Sequence, residues 1–154
     1  MNNKIVVPAA VIMLVALLLV RCSWKKPVNV GLVDGGLHKC PASPNCVSSR
    51  SADDAHGISP LSYSGPGEEA RGTLAAVLGT MPRAKIVESA GPYLRAEFTS
   101  TLFRFVDDAE FLLDDVAKVI HVRSASRTGY SDMGVNRKRV EEIRRLFNGS
   151  APAR

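Results

Sequence analysis

From Ile5 to Val20 (IVVPAAVIMLVALLLV) the chain runs for 16 residues without a charge, a stretch that cannot belong to the core of a water-soluble domain. As a helix it spans about 24 Å, slightly short of a hydrocarbon core of about 30 Å. Lys4, Arg21, Lys25 and Lys26 extend that reach by snorkelling, and Trp24 suits the interface. Residues 1–26 therefore read as a retained signal anchor with basic flanks. A cleaved signal peptide is the next reading, although no small-x-small site follows the run. Lipidation at Cys22 is the third, although Arg21 stands where a small residue is expected.

What remains has room for one ordinary domain. The net charge of +5 suggests a nucleic-acid partner until its location is considered. Without residues 1–26, 16 Lys and Arg face all 15 Asp and Glu, so the body lacks the excess that phosphate-backbone binding needs. No nucleic acid is expected as partner; the membrane is, through residues 5–20, together with an anionic lipid or a membrane protein.

Residues 27–56 read as a cysteine-containing loop with two prolines between Cys40 and Cys46. In an exported protein two cysteines six positions apart pair by default and staple a loop that buries little apolar surface. Two alternatives stay open. His38, Cys40, Cys46 and His56 supply a two-sulfur, two-nitrogen zinc set, but their spacing fits no compact finger. Cys46, His56 and Asp53 or Asp54 supply a nucleophile, a base and an orienting carboxylate. The expectation is a disulfide, with no metal and no cofactor. The Lys and Arg count around the apolar run favours a cytoplasmic body, whereas the cysteines favour the periplasmic or extracytoplasmic side. The reading adopted is a single-pass protein whose body faces outward.

Residues 57–149 read as an α+β domain and 150–154 as a tail. Gly57–Tyr63 is an extended edge segment. Ala70, Leu74, Val77, Leu78 and Met81 recur at helical steps from Gly67 to Met81, where Pro82 follows. Lys85–Ser89 and Tyr93–Ser100 form strands about Ala90-Gly91-Pro92; Phe103–Leu113 and Lys118–Ser126 form a second pair about Asp114-Asp115. In Tyr93–Ser100, Leu94, Ala96 and Phe98 supply a buried face and Tyr93, Arg95 and Glu97 a polar one. A last helix covers Gly134–Phe147, with Ser131 or Asp132 as cap, Gly149 as stop, and Glu141 within reach of Arg137 and Arg145. Strands in succession between two helices imply a two-layer domain with an antiparallel sheet of four to five strands, preceded by one transmembrane helix.

The blocks Cys40-Pro-Ala-Ser-Pro-Asn-Cys-Val-Ser-Ser, Phe105-Val-Asp-Asp-Ala-Glu-Phe and Val122-Arg-Ser-Ala-Ser-Arg-Thr-Gly-Tyr-Ser-Asp-Met-Gly-Val-Asn-Arg-Lys-Arg-Val occur in order. Together they resemble the domain-of-unknown-function 1499 family of bacterial and plastid-type proteins, over about residues 37–148. The resemblance puts Cys40, Cys46, Asp107, Asp108, Glu110, Arg123, Ser124, Ser126, Arg127, Tyr130, Asp132, Asn136 and Arg139 at the family's characteristic positions. It implies a shared domain and no assigned activity.

Roles come from side-chain chemistry. Arg123, Arg127 and Arg139, near Ser124, Ser126 and Tyr130, form a candidate grip on an anionic ligand such as a lipid head group. Asp107, Asp108, Glu110, Asp132 and Asn136 form a candidate structural polar network, and cross-strand neutralisation of the arginines competes with the ligand reading. Asp107 and Asp108, adjacent on a strand, point to opposite faces and make no acid/base dyad. The functional expectation is a non-catalytic binding or assembly module with an Arg-rich contact surface. The alternative is a hydrolase-like envelope enzyme acting on an anionic substrate through Arg123, Arg127 and a carboxylate or Cys46.

Overall fold

The computed structural model describes residues 25–150, and Val11 ahead of them. The anchor expected over residues 1–26 thus lies, Val11, Lys25 and Lys26 apart, outside the described residues, as do Cys22 and residues 151–154. Among the described residues no helix is long and apolar enough to cross a membrane.

The elements are β1 (Leu32–Val33), β2 (Gly36–Leu37), β3 (Cys46–Ser48), β4 (Leu61–Ser62), α1 (Gly67–Thr80), β5 (Ala84–Ala90), β6 (Tyr93–Thr99), β7 (Val106–Asp114), β8 (Val119–Ser126) and α2 (Val135–Ser150). An antiparallel sheet runs β3-β8-β7-β6-β5, and β4 also pairs with β8. Because β3 meets Arg123–Ala125 and β4 meets Val119–Ile120, the two short strands lie end to end along one edge of β8. The fold is α+β, as expected, but the sheet has six strands rather than four to five. The addition is β3, whose three residues are too few to carry a period and lie in what reads as loop. The expected edge segment 57–63 contracts to Leu61–Ser62.

Strand alternation assigns the core. Leu94, Ala96, Phe98, Ala109, Phe111, Ile120 and Val122 face α1 and α2, where they meet Leu74, Val77, Leu78, Val140, Ile143 and Phe147. Both helices lie on this one face, which makes two layers. Asp34 and Gly35 both take positive φ, 49° and 73°, the conformation a two-residue hairpin of matching twist requires, and the β1–β2 hairpin forms around them. Leu37 of that hairpin packs with Tyr93 and Leu112 in a small second cluster. The face read as simply polar is therefore covered: Tyr93 and Arg95 are only 3% and 5% exposed.

Asp132 caps α2, accepting from the N–H groups of Gly134 at 2.9 Å and Asn136 at 2.7 Å. The helix passes through Gly149 to Ser150, whose hydroxyl donates to the Leu146 carbonyl, so Gly149 is not its stop. Glu141 pairs with Arg144 rather than with Arg137 or Arg145. Arg137 instead donates to the carbonyls of Gly57, Asp54 and Ala55, tying the helix to the loop before β4. Asp132→Ala should cost about 0.5–2 kcal/mol in urea unfolding of the full chain, the range for loss of a cap. An unchanged midpoint would mean that packing alone positions the helix.

Candidate functional site

Register brings the charged residues together. Arg95, Glu110 and Arg123 are direct cross-strand neighbours and Ser48 follows on β3; Glu97, Asp108, Ala125 and Cys46 form the next row. Side chains of one row share a face, and this is the face turned away from the helices. A strap from residue 25 through the β1–β2 hairpin to Cys40 covers it. The strap supplies a direct bond, from the Gly31 N–H to Glu110 Oε1 at 2.8 Å.

Under the strap the charges pair densely. Arg123 Nη1 donates to Glu110 Oε2 at 2.6 Å, with side chains 1% and 0% exposed. Glu110 Oε1 also accepts from the Tyr93 hydroxyl at 2.8 Å. Asp108 is shared: Arg95 Nη1 reaches it at 2.7 Å, and Arg127 grips it through Nε at 2.7 Å and Nη2 at 2.9 Å. Glu97 accepts from both Arg95 and Arg127. Burial pushes the Tyr93 hydroxyl above its ordinary pKa and the Glu110 carboxylate adds to the rise, so it remains a donor. Burial pulls Arg95 and Arg127 down, but bonds to Asp108 and Glu97 outweigh it and the net direction is up.

The opposite face holds a separate network. Asn136, fully buried, accepts from the Ser124 hydroxyl at 2.6 Å and donates to Ser126 Oγ and the Asn45 carbonyl, both at 3.0 Å. Arg139 donates to Ser124 Oγ at 3.1 Å and to Asp107 Oδ2 at 2.6 Å, and stacks 4.6 Å from the Phe98 ring centroid. Asp107 and Asp108 do point to opposite faces. The six residues grouped as an anion grip are consequently divided. Arg123 and Arg127 lie under the strap, whereas Ser124, Ser126 and Arg139 lie at the helix side, and Tyr130 is 77% exposed in the loop after β8. Gly31, Tyr93 and Asn45 belong to these networks without having been singled out from sequence. Their partners lie far off in the chain: Gly31 and Tyr93 meet Glu110, and Asn45 meets Asn136.

Cys40 and Cys46 form a disulfide with Cα atoms 5.6 Å apart. It fastens the end of the strap to β3, and with the sulfurs joined neither is a thiolate for zinc or for attack on a substrate. His56 donates its backbone N–H to Asp53 Oδ1 and sets ring Nδ1 2.7 Å from the same oxygen, which holds the Asp53 carboxyl below its ordinary pKa. Its Nε2 lies 3.3 Å from the Ser43 carbonyl, a contact that ties two loops. Between Pro27, Asn29 and Pro41 of the strap and Asp108, Arg123 and Arg127 of the sheet lies a cavity of about 270 Å³.

Fold and site thus define a two-layer α+β domain with an ionic sheet face roofed by a disulfide-pinned strap. The chain belongs to the family described as protein of unknown function (DUF1499), whose model matches residues 36–147. No curated protein and no solved structure matches it.

Pairing this close makes Arg127 a structural cation. Arg127→Ala leaves Asp108 and Glu97 to Arg95 and should cost up to about 3–5 kcal/mol of unfolding free energy; a loss below about 1 kcal/mol would release the arginine for a ligand. Cys40→Ala with Cys46→Ala opens a short loop and should cost about 2 kcal/mol by the chain-entropy relation. The same double variant should speed hydrogen exchange at Gly31 if the disulfide holds the strap down. Unchanged exchange would show the strap to be held by its other contacts.

Proposed function

We propose that this chain is a membrane-tethered, non-catalytic binding module of the cell envelope, whose body rests one end on the bilayer beside its own anchor. The observation that carries this reading is the clustering of exposed apolar side chains at one end of the sheet. Leu102 (79% exposed) and Phe103 (56%) sit in the β6–β7 turn, and Tyr130 (77%), Met133 (88%) and Val135 (46%) lie between β8 and the first turn of α2. The two segments adjoin: Arg127 N–H donates to the Val106 carbonyl, and Thr101 and Val135 line one groove of about 430 Å³. Arg83 and Lys138 line the same groove, and exposed Arg104 lies in the turn beside it. Apolar residues ringed by Lys and Arg are the composition that settles into an anionic interface.

A disulfide in a loop that buries little favours a body in an oxidising, extracytoplasmic compartment. The expected anionic-lipid contact thereby moves from Arg123, Arg127 and Arg139, each bonded to internal carboxylates, to Arg83 and Lys138 at the groove. A hydrolase-like envelope enzyme draws less support, because Cys46 is in a disulfide and Asp108 and Glu110 are held by arginine.

The test is depth-dependent quenching by brominated lipid in vesicles of phosphatidylcholine and phosphatidylglycerol, with Trp24→Phe as background. Leu102→Trp should be quenched. Val116→Trp, 98% exposed in the β7–β8 turn at the other end, should not be. Arg83→Glu with Lys138→Glu should reduce the quenching at position 102. Equal quenching at both ends would refute the orientation, and none at either, with crosslinks to a membrane protein instead, would make that protein the partner.

A further inference from the structure

A guanidinium carries five N–H donors in a fixed fork. Arg123 uses Nη1 on Glu110, while its Nε and Nη2 have no acceptor in the protein, although the residue is 0% exposed. These two nitrogens form one edge of the fork, the edge that grips two oxygens side by side. Nearby acceptors are already committed. Glu110 Oε1 takes Gly31 and Tyr93, Glu110 Oε2 takes Arg123, and both Asp108 oxygens take Arg95 or Arg127. A buried donor left without a partner gives up its hydration for nothing, so an edge of two calls for an occupant.

Arg123 also lines the cavity beneath the strap, whose volume of about 270 Å³ is many times the share of one water molecule, about 30 Å³. That size lies just below the usual range of ligand sites, about 300–1,000 Å³. Exposed Asn29 and Pro41 lie on its rim, so it meets solvent there. Charge decides what enters. The buried network holds three cations, Arg95, Arg123 and Arg127, against Glu97, Asp108 and Glu110, and at its margin Lys26 offsets Glu88 at 3.2 Å. An anion would add a buried charge without a counter-ion, whereas neutral acceptor oxygens add none. Pro27, Val30, Pro41 and Ala125 supply apolar wall for the carbon skeleton of such a molecule.

We propose that the cavity is a binding site for a small uncharged ligand bearing hydroxyl or amide oxygens, of about monosaccharide size, which accepts from Nε and Nη2 of Arg123. This site is independent of the bilayer contact and stands or falls separately from it.

The test follows the Arg123 Nε–H resonance of the full chain in detergent micelles, identified by its disappearance in Arg123→Lys. The probe is N-acetylglucosamine, which carries both an amide carbonyl and vicinal hydroxyls; acetate and inorganic phosphate at matched ionic strength are the comparison. The resonance should move saturably with the sugar and stay still with either anion. Ala125→Met, which fills the cavity from the sheet and removes no ion-pair partner, should weaken the response at least tenfold. Should that variant not fold, Arg123→Lys keeps a cation beside Glu110 but lacks the fork edge. The sugar-induced shifts of the Asn45 and Ala125 amides should then be lost. Movement with acetate or phosphate alone would overturn the neutral class, and no movement with any probe would leave a water-filled cavity and overturn the site.

Discussion

The Arg123–Glu110 pair at the centre of the sheet is the contact on which the arrangement depends. Two ions with side chains 1% and 0% exposed carry a desolvation cost that attraction offsets only when the remaining donors and acceptors are also met. Glu110 meets that condition through Tyr93 and the Gly31 N–H, and Gly31 belongs to the strap. The strap therefore does more than exclude water: it contributes a hydrogen bond without which the carboxylate would be under-satisfied. This links the amino-terminal segment to the middle of the sheet, and the Cys40–Cys46 bond holds that segment down at its far end.

Two polar networks on opposite faces of one sheet perform different work. At the helix side, Asn136 bonds to β8 and to the Asn45 carbonyl just before β3, so a helix, a central strand and the residue leading into an edge strand meet at one amide. Arg139 extends that joint to Asp107 on β7. Among the described residues no buried side-chain donor on that side lacks a partner. Under the strap the pairing is denser, yet it leaves two buried donors of Arg123 beside a cavity, and Nε of Arg95 with only a 3.5 Å approach to Glu88. A structural network gains nothing from unfilled donors, so the asymmetry between the faces distinguishes scaffold from candidate site.

How far these features were legible follows from the range of the signals. Helix α1, with apolar residues at steps of three and four, and strands β5 to β8, with local alternation and turn residues, are written in short stretches and emerged within a few residues of their bounds. Strand β3 is not, because Cys46-Val-Ser has no period and its partner lies nearly eighty residues away. The Asp34-Gly35 turn carried a local hairpin signal that went unread, since only two residues flank it on each side. Parity alone correctly separated Asp107 from Asp108. It also put Tyr93, Arg95 and Glu97 together on a polar face, but it gave no hint that this face is roofed. Alternation of charged and apolar residues reads as solvent on one side, and a strap built from a distant segment leaves that pattern unchanged.

The same roofing bears on how this chain uses its arginines. Arginines that read as a contact surface in sequence are held by Asp108, Glu97, Glu110 and Asp107, so clustering in sequence and availability in space part company. Cations at the apolar end, Arg83, Arg104 and Lys138, are scattered along the chain and form no motif, yet turns at one end of the sheet gather them. Surface charge is what a bilayer meets, because buried pairs present almost no net field beyond their own diameter, whereas exposed cations act out to a Debye length of about 8 Å. Burial alone divides the charge: paired residues build the platform under the strap, and scattered surface cations face outward.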